Sequence, residues 1–167
     1  MEKIRNLKEL FILQLNDLYY TKQKQVENLT LLENRISSKE LKEEIKRHLH
    51  QSNRQLDHLN EVFSKINEMA VEGKCPGIDG LLEKENTLLN KCDRSEILDA
   101  AIIKSLQEIN HYNIANYGSA CTYARELGYE DIAGILHESL EEEKRMDQNL
   151  TALAKEEINK RAIEVQV

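Results

Sequence analysis

Leu136 to Ala154, LHESLEEEKRMDQNLTALA, is the stretch whose reading decides the fold. Its apolar residues recur at helical spacing: Ile132, Leu136 and Leu140 before the middle, Leu150 and Leu153 after it. Between them the same stripe is held by Glu143 and Asp147. Carboxylates on the core-facing side of a helix are costly unless paired, protonated or bound to a cation. What the other helices set opposite these two acids therefore governs both packing and chemistry.

The rest of the chain is built to form such helices. Among 167 residues there are one Pro, six Gly and no Trp, while Leu, Glu, Lys, Asn and Ile dominate. That composition suits long helices in one domain large enough for a real core. The formal net charge is -7, with both signs interspersed. An acidic chain without a basic stripe is a poor nucleic-acid binder. No apolar run approaches the roughly 20 residues of a membrane span. The opening MEKIRNLKEL has no apolar signal-peptide region. These features predict a soluble, cytoplasmic protein with neither nucleic acid nor membrane as partner. Cys75, Cys92 and Cys121 are odd in number and widely spaced, which reads as free thiols in a reducing compartment. A Cys75–Cys92 link across the central connection stays open.

Working outward, a first helix is expected over about residues 6–34, on the stripe Ile4, Leu7, Phe11, Leu15, Leu18, Lys22, Val26, Leu29, Leu32 and Ile36. Its one charged member, Lys22, either snorkels to water or points inward. Ser37 with Glu40 reads as a capping box for a second helix, whose stripe is polar in the middle at His48, Ser52 and Gln55. That helix is expected to stop near residues 71–74, before CPGIDG. A short amphipathic helix follows within a long connection, over 78–90. Asp93 with Glu96 reads as the cap of a third long helix over about 94–127, with Asn110 and Asn113 flanking its stripe and Asn116 on it. Gly128 ends it, and the fourth begins at Glu130 and Asp131. Residues 1–155 form the expected helical domain, and 156–167 a charged, flexible tail.

Two hairpin-like connections and one long crossover predict an all-α four-helix bundle with a short accessory helix between helices two and three. Side by side, the four long helices bring Lys22, Ser52, Gln55, Asn110, Asn113, Glu143 and Asp147 to one height. A polar layer at one level of an apolar bundle is where such folds build di-metal sites, from carboxylates and Glu-x-x-His motifs. This chain lacks that set. Two helices offer neutral Ser, Gln and Asn, and one offers a cation. Hard metals require anionic oxygens. The expected arrangement is Lys22 paired with Glu143 or Asp147, with Gln55 and Asn110 completing the hydrogen bonds. His48, His50 and His111 can approach the layer but read more simply as ordinary surface or core histidines.

The segments LFILQLNDLYY, HLHQSNRQLDHLNEVF, AAIIKSLQEINHYNIANYG and LHESLEEEKRMD, with the connection KCPGIDGLL, resemble the YciE/YciF-type ferritin-like proteins, bacterial stress-associated proteins without a known biochemical function. The resemblance runs collinearly from about Leu7 to Asn159. It implies a ferritin-like bundle, commonly a homodimer, with a di-iron centre. It also implies Glu at the place of Lys22, acidic residues and a His around His50, Gln51, Asn53 and Gln55, and a V-E-H-Y-E-I pattern where this chain reads Ile109-Asn110-His111-Tyr112-Asn113-Ile114. The fourth helix matches the family at Glu138, Glu142, Glu143 and Asp147. The departures fall on the family's ligand positions and spare the scaffold.

The function expected is that of a non-enzymatic, dimeric stress-associated protein with a degenerate di-metal centre and no cofactor. The alternative is a non-haem iron protein or oxidase using Glu143, Asp147, Glu138, His50 and His111. A third class, a module binding a protein partner through its outer faces, has less behind it, because Glu141, Glu142, Lys144 and Arg145 read as a solvated charged face. No phosphate loop or nucleophile–base pair suggests hydrolase or transferase chemistry.

Overall fold

The computed structural model describes residues 3–71 and 73–165; Met1, Glu2, Glu72, Gln166 and Val167, which the expected domain bounds include, lie outside the described residues. The elements are α1 (Leu7–Leu32), α2 (Lys39–Lys65), α3 (Pro76–Leu89), α4 (Ser95–Glu126), α5 (Glu130–Leu153), a π-helical turn (Ala154–Ile158) and α6 (Asn159–Glu164). The described residues include no strand.

α1, α2, α5 and α4 pack around one axis in that cyclic order, with α3 laid against α4 and α1. α1 and α2 form one antiparallel hairpin, α4 and α5 the other. The start of α2 lies beside the start of α4, where Ser37 and Ser38 donate to Asp99. α2 and α4 therefore run the same way. The connection from Ile66 to Arg94 must return the chain along the full bundle, and α3 is its ordered part. This is the ferritin-like four-helix bundle with an accessory helix in the crossover.

Several helix ends differ from the sequence expectation. α2 stops at Lys65, well before Gly73. Asn67 takes φ 55°, Glu68 N–H reaches Phe63 O (3.0 Å), and Asn67 N–H reaches Ser64 O (3.1 Å). That left-handed cap satisfies the last carbonyls without a glycine. Met69, past that cap, is consequently 82% exposed. Gly128, at φ 77°, closes α4 in the same way. Ser38 caps α2 in place of Ser37, accepting from Leu41 N–H (3.2 Å). Arg94, with no side-chain cap bond, precedes α4 in place of Asp93. Pro76 opens α3 at its first turn, where a missing N–H is harmless. Gly77 is required beside it, because a Cβ there would lie 2.5 Å from the Tyr112 hydroxyl. The three cysteines are free thiols.

The segment expected as a tail from residue 156 is helical as far as Glu164, and Ile158 is buried. Four-residue steps overshoot an α-helical turn, so Leu150, Ala154 and Ile158 would drift off one face. The wider π turn at Ala154–Ile158 cancels that drift and keeps Ile158 against the core.

The core is split in two. One half is built on Phe11, Leu15, Leu18, Leu59, Phe63 and Leu136. The other is built on Leu29, Leu41, Ile45, Ile102, Leu106 and Leu150. Between them runs a belt of buried polar side chains.

Asp99 is buried, accepting from Ser37 N–H (3.0 Å), Ser37 Oγ–H (2.6 Å) and Ser38 N–H (2.8 Å). It locks the α1–α2 turn onto α4. Asp99→Ala is expected to destabilise the fold by about 3 kcal/mol, because it strands these donors. Urea unfolding should show a lower midpoint with an unchanged slope.

Candidate functional site

The belt is assembled from helix positions three and four apart, which share a face. α1 contributes Thr21, Lys22 and Gln25, α2 contributes His48, Ser52 and Gln55, α4 contributes Asn110 and Asn113, and α5 contributes Ser139, Glu142 and Glu143, all buried. Apolar neighbours above and below hold each helix at this height, so most polar partners come from within the belt, with Arg54 and His58 reaching Glu142 and Ser139 from outside it.

Lys22 and Glu143 form its centre. Both are 0% exposed, and the Lys22 ammonium donates across the bundle to Glu143 Oε1. A second Lys22 bond goes to Gln25 Oε1 (2.8 Å). The other Glu143 oxygen, Oε2, accepts from Asn113 Nδ2 (3.1 Å) and Asn110 Nδ2 (3.3 Å). Asn113 also donates to Gln25 Oε1 (2.9 Å). With that oxygen accepting from both, Gln25 Nε2 must be the donor to His48 Nε2, 2.9 Å away. His48 is therefore assigned as the neutral ring with its proton on Nδ1. The Tyr117 ring lies beneath the ammonium, 5.8 Å to its centroid.

Burial opposes both charges. It pulls the Lys22 ammonium below its ordinary value, with the Glu143 charge and hydrogen bond resisting. Burial also pushes the Glu143 carboxyl up. The charge of Lys22, with the Lys22 and Asn113 hydrogen bonds, outweighs it and holds Glu143 below the usual carboxylate range. His48 falls to about 4, chiefly through burial and further through the Lys22 charge, against the pull of Glu143.

This donor set does not fit a metal. Glu143 is the one carboxylate aimed at the centre, and both its oxygens are engaged. A cation would have to displace an ammonium and then be held by one carboxylate, three neutral amides (Gln25, Asn110 and Asn113) and one imidazole, a weak set for a hard divalent ion. Among the described residues no group of three His, Cys, Asp or Glu side chains is placed to hold a metal ion.

Of the residues singled out from sequence, the structure brings Lys22, Ser52, Gln55, Asn110, Asn113 and Glu143 into the buried belt. Asp147 does not join them. Met146 takes the core position, and the Asp147 side chain stays 20% exposed, facing His111 (3.2 Å) and accepting from Gln107 (3.1 Å). Gln55 serves a different acid from the one expected, donating to Glu142 Oε2 (3.0 Å). Asn116 stops short of the core, bonded to Gln14 (3.0 Å), and Tyr117 fills the stripe. Glu138, His50 and His111 lie on the outer surface, away from Glu143.

Glu142 corrects the reading of a wholly solvated charged face. It is 2% exposed, seated between α2 and α5 and paired with Arg54. The stripe of α5 is wide enough to carry both Glu142 and Glu143. The same width hides Gln25, which sits three residues from Lys22 where Val26 satisfies the pattern. Val26 is only half-buried.

A family model described as a domain of unknown function, DUF892, matches residues 6–163. Protein YciF of Escherichia coli K12 is 32% identical over 160 residues, spanning 95% of this chain and 96% of its own. The crystal structure of the E. coli stress protein YciF superposes with a TM-score of 0.89 at 33% identity, covering 94% of this chain and 99% of that one. YcfI from Rhodopseudomonas palustris superposes with a TM-score of 0.87 at 31% identity, covering 90% and 96%.

Two predictions concern the belt. Lys22→Met leaves an uncompensated buried carboxylate and is expected to cost about 3–5 kcal/mol. The double variant Lys22→Met/Glu143→Gln should lose less than either single change, and a double-mutant cycle in urea checks this. His48 binds its proton more weakly folded than unfolded, so its contribution is complete above its ordinary 6.5 and is lost as pH falls towards about 4. Between pH 7 and pH 5 the loss is about 2 kcal/mol. A His48→Gln variant should lack this component of the pH slope in urea unfolding.

Proposed function

The chain belongs to the DUF892 family of YciF-like proteins, and from that premise we propose that it is a ferritin-like protein with a degenerate di-metal centre, a non-enzymatic, dimeric stress-associated protein of the bacterial cytoplasm. The stress association rests on YciF, which carries the description of a stress protein. The observation that supports loss of the metal centre is the engagement of Glu143. Lys22 holds one of its oxygens and two asparagines hold the other. An ammonium supplies at this point the positive charge that a metal ion would supply, and it is covalently tethered. No described helix is long and apolar enough to cross a membrane, which agrees with the proposed location.

The iron-dependent alternative has less behind it. Asp147 and His111 are the candidate ligands that the fold brings together. They lie at the surface and engage one another, and the site would have to reorganise around them before it could hold iron.

The reading is tested by elemental analysis of the purified protein, before and after anaerobic loading with ferrous iron. The expected result is far less than one iron or manganese per chain in either sample. Stoichiometric metal that disappears in a Glu143→Ala variant would overturn it. Analytical ultracentrifugation is expected to give twice the mass of the chain.

A further inference from the structure

The crossover helix α3 contains a second buried acid, one outside the belt. α3 buries three side chains against α1 and α4, namely Ile78, Leu89 and Glu85, and Glu85 is 2% exposed. Its Oε2 accepts from Asn28 Nδ2 on α1 (2.9 Å). Its Oε1 has no partner in the protein.

The charged groups around Glu85 are occupied elsewhere. On its own helix Lys84 pairs with Glu108 of α4 (2.7 Å). From α4, Lys104 pairs with the same Glu108 (2.7 Å). From α1, Lys24 pairs with Glu27 (2.8 Å). Arg35, just past α1, attracts Glu85 from a distance while its Nη2 donates to Leu89 O (3.5 Å). Among the described residues no Lys, Arg or His nitrogen pairs with Glu85. A carboxylate held by one neutral amide in an apolar seam is poorly compensated, whereas a carboxylic acid keeps the Asn28 bond and sheds the charge.

We propose that Glu85 is a proton-operated latch for the crossover helix: α3 is seated on α1 and α4 with Glu85 protonated, and it lifts from them when that proton is lost. The rest of the seam is small enough for one group to matter. α3 touches α1 lightly and otherwise depends on α4. Beneath it lie Tyr20 of α1 and Ile109 and Tyr112 of α4, packed under Ile78, Leu81 and Leu82. Lifting α3 uncovers that patch and withdraws Leu89 from the half of the core built on Leu29 and Ile102, while the four long helices keep their own contacts.

The direction of the effect follows from linkage. Burial pushes Glu85 up to about 7, against the Asn28 hydrogen bond and the charge of Arg35, while a lifted, solvated α3 returns it to its ordinary 4.5. The group binds its proton more tightly when seated, so seating is fully favoured below about 4.5 and weakens as pH rises through 7. Between pH 6 and pH 8 the opening constant of α3 should rise about tenfold.

Hydrogen exchange of the intact protein, read on peptides from α3 and corrected for intrinsic exchange, tests this. Wild type should lose about tenfold protection in residues 76–89 between pH 6 and pH 8, while α2 and α5 stay constant. Glu85→Gln should hold α3 equally protected at both values. Loss of the pH response in the variant with its retention in wild type supports the latch. An unchanged α3 in wild type, or the same response in both proteins, overturns it. Should the variant fail to fold, the carbon resonance of the Glu85 carboxyl in wild type decides: a midpoint near 7 supports the latch, and one near 4.5 overturns it.

Discussion

The structure depends on the enclosure of one ion pair. Lys22 and Glu143 sit where four helices converge, and no solvent reaches either. Two charges removed from water are a net expense unless each is closely paired and its remaining hydrogen-bonding capacity is used. Glu143 meets that condition with three donors. Lys22 meets it with a carboxylate, an amide oxygen and an aromatic face. Every neighbouring choice follows: asparagines where anionic ligands would repel Glu143, a glutamine oriented by two donors, and a histidine kept neutral because a second cation has no counter-ion. The bundle tolerates the pair because apolar layers on either side fix its geometry.

Much of this was legible in the sequence, for a definite reason. Lys22 and Glu143 each interrupt an otherwise continuous apolar stripe, and the interruptions fall at the same height in hairpin-connected helices. The four long helices, the crossover and the position of its short helix follow from the same periodicity. Less was legible where the stripe is wide. Val26 hid Gln25, and Asp147 took the place that belongs to Met146. A run of three glutamates looks like a surface, which hides the burial of Glu142. The structure shows that its middle member is covered by Arg54.

Helix ends were harder to read than helix faces. The loudest turn signal after α2 is the cluster around Gly73 and Pro76, yet the helix ends earlier through Asn67, a residue that tolerates a left-handed backbone without advertising it. Ser37 and Ser38 are equally good caps on paper. Asp99, 61 residues further along, chooses between them by taking the Ser37 hydroxyl. That information is tertiary and no local pattern contains it. The π turn is similar, since its reason is the burial of Ile158 and that depends on where α4 lies.

The belt also works as a key between two halves. One hairpin carries Lys22, Gln25, His48 and Gln55, and the other carries Asn110, Asn113, Glu142 and Glu143. Only the crossover joins them covalently. Apolar surfaces alone would let the hairpins slide, since one leucine layer resembles the next. A slide of one helical turn, about 5.4 Å, would set the ammonium against Met146 or Ser139 and leave Glu143 facing hydrocarbon. The polar residues thus penalise every register but one. In this chain the polar layer is what tells two hairpins how to align.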